Sequence, residues 1–138
     1  MTPNPNATRV LSGFNKFVNQ GDLSEVDAYI APEYTGYFSG FPPISGREAF
    51  RQFVDMQNNA FSDRSLAMEE VLTEGDKVAL RVTFRGTHTG ELNGLPPTGR
   101  SVEYQALHIL HLSGDFCVAQ WAILDNMTMM QQLGLIPA

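Results

Sequence analysis

Three polar side chains sit in apolar company where they could hold or move a proton. Over residues 100–112, alternate positions are Val102, Tyr104, Ala106, His108 and Leu110. Over residues 116–125, one alternate set is Phe116, Val118, Gln120, Ala122 and Leu124. Successive strand residues point to opposite faces, so each set shares a face. The more apolar faces should turn inward, which places Tyr104, His108 and Gln120 in one interior. Desolvation lowers a histidine pKa and keeps the ring neutral, free to act as a base or a hydrogen-bond donor. A phenol and an amide converging on it would orient a small ligand. These three are the catalytic candidates, with His108 as acid/base or orienting group. The competing reading is a satisfied core histidine.

The elements that must position them follow from periodicity. Val10, Leu11, Phe14, Phe17 and Val18 mark one face of a helix that Gly21 ends. Residues 1–6, with two prolines, read as a frayed lead-in. A short second helix carries Leu23, Val26 and Ile30, capped by Asp22 or Ser24 and stopped by Pro32. Residues 34–41 predict a short strand and an irregular loop. Ser45 and Glu48 have capping-box spacing ahead of a third helix bearing Phe50, Phe53 and Val54. The pairs Arg47/Glu48 and Arg51/Asp55 read as its solvated face.

Four long strands are then expected over 65–73, 77–88, 100–112 and 116–125. Glu74-Gly75-Asp76 and Ser113-Gly114-Asp115 supply tight turns. A last helix begins near Asp125, which should cap it. Helices first and strands later give an α+β class. Four long antiparallel strands must curl around the N-terminal helices, leaving a cavity for a small, largely apolar molecule.

Candidate substrate contacts are Phe14, Tyr34, Tyr37, Phe53, Phe84, His88, Ala122 and Met127. Tyr34 and Tyr37 could reach the pocket mouth, although aromatic packing is the competing role. His88 lies between glycines that more simply explain a bend. Met127, Met129 and Met130 are expected to line or plug one end of the cavity. The opposite sheet face, with Leu107, Ile109, Trp121 and Ile123, is apolar enough to suggest a homodimer.

Composition narrows the classes. The 138 residues carry 9 basic and 15 acidic side chains, a formal charge of −6, without a basic cluster. That argues against nucleic acid or an anionic membrane as partner. One cysteine, Cys117, allows neither an internal disulfide nor a cysteine-held metal. The N-terminus lacks a signal-peptide pattern and no apolar run approaches about 20 residues, so a cytoplasmic protein is expected. The size predicts one domain over residues 1–138.

Gly86-Thr87-His88-Thr89-Gly90, then Gly94-Leu95-Pro96-Pro97-Thr98-Gly99-Arg100, and Gln131-Gln132-Leu133-Gly134 near the end resemble the SnoaL-like polyketide cyclases. The resemblance covers nearly the whole chain. It implies the cone-shaped fold of the nuclear-transport-factor-2-like superfamily, and ring closure by intramolecular aldol condensation without metal or cofactor. It also implies that His108 occupies an active-site histidine position. The aspartate of those cyclases would fall at Ala122, so the usual proton carrier is missing. Two functions follow as expectations. One is an enzyme that closes or rearranges a ring, with cyclase-, isomerase- or dehydratase-like chemistry. The other is a non-catalytic ligand-binding member that has lost the aspartate. A weaker third is an interaction domain working through its sheet face.

Overall fold

The computed structural model describes residues 4–138. The expectation for residues 1–3 lies outside the described residues. Residues 4–6 correct the frayed lead-in. Pro5 opens helix α1 (Pro5–Phe14), and the Asn4 side chain accepts hydrogen bonds from the amides of Asn6 and Ala7. A proline in the first turn loses no needed hydrogen bond, and asparagine suits the cap. The helix runs on as a wider π turn over Asn15–Asn19, carrying the buried Phe17. Gly21 then takes the left-handed conformation expected of a terminator.

The second helix is shorter than periodicity suggests. Helix α2 (Val26–Tyr29) is a single turn, and Ile30 already belongs to strand β1 (Ile30–Phe38), with Pro32 inside that strand. β2 (Ile44–Ser45) pairs with it briefly. Helix α3 (Gly46–Ala60) follows, and its Ser45 cap makes no side-chain hydrogen bond, so the capping box does not form. Arg47 and Arg51 are not simply solvated. Arg47 donates to the carbonyls of Ile30 and Asp27, and Arg51 pairs with Asp27, tying α3 to the α2–β1 corner.

Strands β3 (Ser65–Glu74), β4 (Lys77–Thr87), β5 (Ser101–Ser113) and β6 (Phe116–Leu124) fall close to their expected spans. The sheet order is β2-β1-β6-β5-β4-β3. It is not wholly antiparallel, because β1 runs parallel to β6. A six-stranded mixed sheet therefore curves around α1 and α3. α4 (Asn126–Gln132) closes the described fold, and Asp125 caps it by accepting from the Thr128 amide and hydroxyl. That capping holds the Asp125 carboxyl below the usual carboxylate range.

On β5 every even-numbered residue from Val102 to Leu112 is buried, as alternation requires. β6 departs from it. A bulge at its start sets Leu112 opposite Cys117 but His111 opposite Ala119. An extra residue reverses parity on one side of a bulge. Cys117 is therefore buried and Phe116 exposed, the reverse of the expected faces, while Gln120 and Ala122 stay inside. On the outer face Leu107, Ile109, Trp121 and Ile123 are exposed. Among the described residues, no helix is long and apolar enough to cross a membrane.

Candidate active site

Between α1, α3 and the inner faces of β4, β5 and β6 lies a cavity of about 110 Å³. Its wall is mostly apolar. Phe14 comes from α1, Phe50 and Phe53 from α3, Phe38 from β1 and Phe84 from β4. The buried polar side chains in that wall are Tyr104, His108 and Gln120, with the thiol-bearing Cys117; half-buried Tyr29 adds a hydroxyl paired with Ser12. The strand parity that placed Tyr104, His108 and Gln120 together is thus realised. Arg9, Gln57, Asn58 and Asp115, half-buried or exposed, mark where the wall nears solvent. The Arg9 guanidinium is occupied there. It donates to the carbonyls of Ala28 and Asp115 and lies 3.9 Å over the Tyr29 ring.

His108 is held from several sides. Gln120 Nε2 lies 3.1 Å from its Nδ1, and Phe14 meets the ring edge-on at 5.0 Å. Burial disfavours the charged imidazolium and pushes the His108 pKa down to about 4. The ring is neutral at neutral pH. Burial also raises the pKa of the Tyr104 phenol, which keeps its proton. Its ring packs against Phe84 at 5.3 Å. The site therefore offers neutral hydrogen-bonding groups in an apolar setting, where each interaction is stronger than in water.

The structure separates the other candidates. Phe14, Phe53 and Phe84 line the cavity as expected. Tyr34 does not; it stands behind the wall, fully buried, and its hydroxyl donates to Gln120 Oε1 at 2.8 Å. Ala122 is also fully buried behind the wall, directly across the ladder from His108. Tyr37 is on the outer face, stacked on Trp121 at 5.4 Å, because odd positions of β1 around Gly36 face outward.

Met127 is 66% exposed on α4, a helix with no buried residue, and none of Met127, Met129 and Met130 reaches the cavity wall. His88 lies apart from the cavity. Its Nδ1 accepts from the Thr98 amide at 3.1 Å and sits equally close to the Thr98 hydroxyl. It clips the two ends of the glycine-rich segment together, the structural reading of that residue.

Sequence reasoning missed Cys117, whose thiol lines the cavity and is pushed up to about 12 by burial. No pattern in the sequence signals the bulge that turns it inward. Phe38 and Phe50 were also missed as wall residues; Phe50 lies on the apolar face already assigned to α3.

Residues 8–133 match the family model described as SnoaL-like polyketide cyclase. Over 96 residues the chain is 35% identical to aklanonic acid methyl ester cyclase AcmA of Streptomyces galilaeus, covering 67% of this chain and 66% of that protein. It is 33% identical to nogalonic acid methyl ester cyclase of Streptomyces nogalater, over 68% of this chain and 72% of the relative. The matched segment is just under two-thirds of the first relative's length. Among solved structures, IdmH from Streptomyces antibioticus superposes with a TM-score of 0.80 at 31% identity, covering 95% and 99% of the two chains. A SnoaL-like protein from Jannaschia Sp. CCS1 superposes with a TM-score of 0.88 at 20% identity, over 99% of both chains, a likeness of fold.

Proposed function

The chain belongs to the SnoaL-like polyketide cyclase family, and on that premise we propose that it closes or rearranges a ring in a polyketide-type natural product without a cofactor. The observation that carries this reading is a neutral histidine, bonded by an amide, in the wall of a mostly apolar cavity. An aldol closure moves a proton from carbon beside one carbonyl to water, which reaches the cavity where Arg9, Gln57, Asn58 and Asp115 near solvent. The carbanion bonds to a second carbonyl carbon, and the new alkoxide takes up a proton. Charge gathers on oxygen throughout. Polar groups preset in a dry wall lower that barrier because they need no reorganisation. His108 is the group proposed to meet the reacting oxygen, with Gln120 holding the ring and Tyr104 four residues away along the same face of β5.

The rest of the cavity works as a mould. Phe14, Phe53 and Phe84 present flat surfaces to the reacting end of an aromatic substrate and hold its flexible arm folded; about 110 Å³ admits that end and not the whole ring system. Prior folding converts a rare encounter into a frequent one. The substrates named for the relatives, aklanonic and nogalonic acid methyl esters, are the proposed class. Incubating purified protein with nogalonic acid methyl ester tests the reading. Product formation lost in His108→Ala supports it, and equal rates in the two proteins refute it.

A second reading has a specific observation behind it. Ala122 stands opposite His108 where the resemblance implies an aspartate, so the site has no carboxylate at that place. A ligand-binding member without turnover would keep the cavity. It would show a rise in melting temperature with the ester but no product, since ligand bound only to the native state stabilises it.

A further inference from the structure

This inference deepens the proposed function and rests on its placing of His108 against the reacting oxygen. We propose that Tyr34, acting through Gln120, is a positioning residue that fixes His108 as the tautomer protonated on Nε2. The ring then faces substrate as a hydrogen-bond donor and not as a base.

Three side chains stand in series across neighbouring strands. Tyr34 on β1 donates its hydroxyl to Gln120 Oε1 on β6 at 2.8 Å, and Gln120 Nε2 lies 3.1 Å from His108 Nδ1 on β5. The direction of the series follows from counting protons. The buried phenol has one proton, and Gln120 is the only acceptor it meets among the described residues. Turning the amide around would set its NH2 against the phenol oxygen. The phenol proton would then point at nothing in an apolar core, a costly arrangement. With the amide oxygen facing Tyr34, its NH2 must face His108. Nδ1 then accepts, and a neutral imidazole that accepts at Nδ1 carries its proton on Nε2.

The remaining nitrogen is turned to use. His108 Nε2 has no protein partner among the described residues, and the ring lines the cavity. The fully buried side-chain nitrogen left without a partner is His88 Nε2, not that of His108, which places His108 Nε2 at the cavity surface. Phe14 and Phe38, edge-on at 5.0 and 6.4 Å, hold the plane of the ring. Burial keeps it neutral, with a pKa pushed down to about 4.

An N–H aimed into an apolar hollow suits a ketone oxygen that gains charge as an enolate forms. It has no lone pair to take a proton from carbon, so that proton passes to water at the solvent-facing end of the cavity. Space for the phenol is reserved by Gly36, where a Cβ would fall 2.4 Å from the Tyr34 hydroxyl.

The test is a long-range proton–nitrogen spectrum of the histidine rings in the free protein, with the His108 signals assigned by their loss in His108→Asn. The expected wild-type pattern is protonated Nε2 and bare Nδ1. Tyr34→Phe releases the amide to turn, so the expected result is a mixed or inverted pattern. Its kcat on nogalonic acid methyl ester should fall about tenfold, with KM within about twofold, the size of one lost hydrogen bond. Gly36→Ala, which displaces the phenol while keeping it, should do the same and serves if Tyr34→Phe fails to fold.

A wild-type spectrum with the proton on Nδ1 overturns the proposal, as does a folded Tyr34→Phe with an unchanged tautomer. If either occurs while His108→Ala abolishes turnover, the functional reading survives without it. If the spectra are as expected but His108→Ala turns over normally, the tautomer assignment stands and the functional reading fails.

Discussion

Ala122 lies directly across the β5–β6 ladder from His108, with no exposed surface. A single methyl group thus occupies the place beside the imidazole that the family resemblance assigns to a carboxylate. Ala122→Asp should restore a proton carrier next to His108. We expect it to raise the rate on a polyketide methyl ester by about a hundredfold, the low end of what a placed acid or base contributes. Burying the new group should cost about 1–3 kcal/mol of stability, read from urea unfolding. A folded variant with no gain in rate would contradict the importance of that gap.

Acid should weaken the fold through His108. Its folded pKa of about 4 lies below the ordinary value of 6.5. Above pH 6.5 neither folded nor unfolded chain binds the proton, and the full contribution is present. Between 6.5 and 4 the unfolded chain binds it and the folded chain does not, so stability falls, by roughly 3 kcal/mol in all. Below pH 4 this source adds no further loss. His108→Gln should lose less stability than wild type between pH 7 and pH 4.5. Carboxyls with lowered pKa values, such as Asp63 and Asp125, act in both proteins and cancel in the comparison.

Removing the amide should be costly in a way that its neighbours reveal. Gln120→Leu leaves the Tyr34 hydroxyl and His108 Nδ1 unmet. Each unmet buried group costs about 1–3 kcal/mol. Adding Tyr34→Phe removes one of them. The double variant should therefore be at least as stable as Gln120→Leu alone, and a strictly additive loss in urea titrations would contradict the series.

The outer sheet face offers a second copy of the chain a continuous apolar patch. Register places Ile109 beside Trp121, Leu107 beside Ile123 and Tyr37 beside Trp121 across β5, β6 and β1. Each is exposed. Patches of this kind on single chains mark contact surfaces, and a two-fold pairing is the commonest way to cover one. If a second copy covers this patch, as we propose, Ile123→Glu should shift sedimentation from dimer to monomer without lowering secondary structure. A monomeric wild type at micromolar concentration would overturn the dimer.

Strand parity made much of this site legible. The even positions of β5 turn inward, so Tyr104 and His108 share the cavity from alternation alone. The same rule separates Tyr34 from Tyr37, which differ in parity around Gly36, although aromatic character alone lets either one reach the pocket mouth or pack in the core. Three features lay beyond local pattern. The bulge that turns Cys117 inward depends on how β6 meets β5, not on its own composition. The parallel pairing of β1 with β6 is a tertiary choice between elements about 80 residues apart. The Tyr34–Gln120 bond joins positions 86 residues apart. Met127 was misplaced for another reason. Methionines suit irregular apolar gaps, but α4 leaves Met127 exposed and lays Met129 against the core outside the cavity.

The most direct measurement is single-turnover conversion of nogalonic acid methyl ester by wild type and by folded His108→Ala. A fall of about a hundredfold or more in the variant, with the ester still raising its melting temperature, is the expected result. Equal conversion by the two proteins would contradict the claim that the buried imidazole is where the chemistry happens.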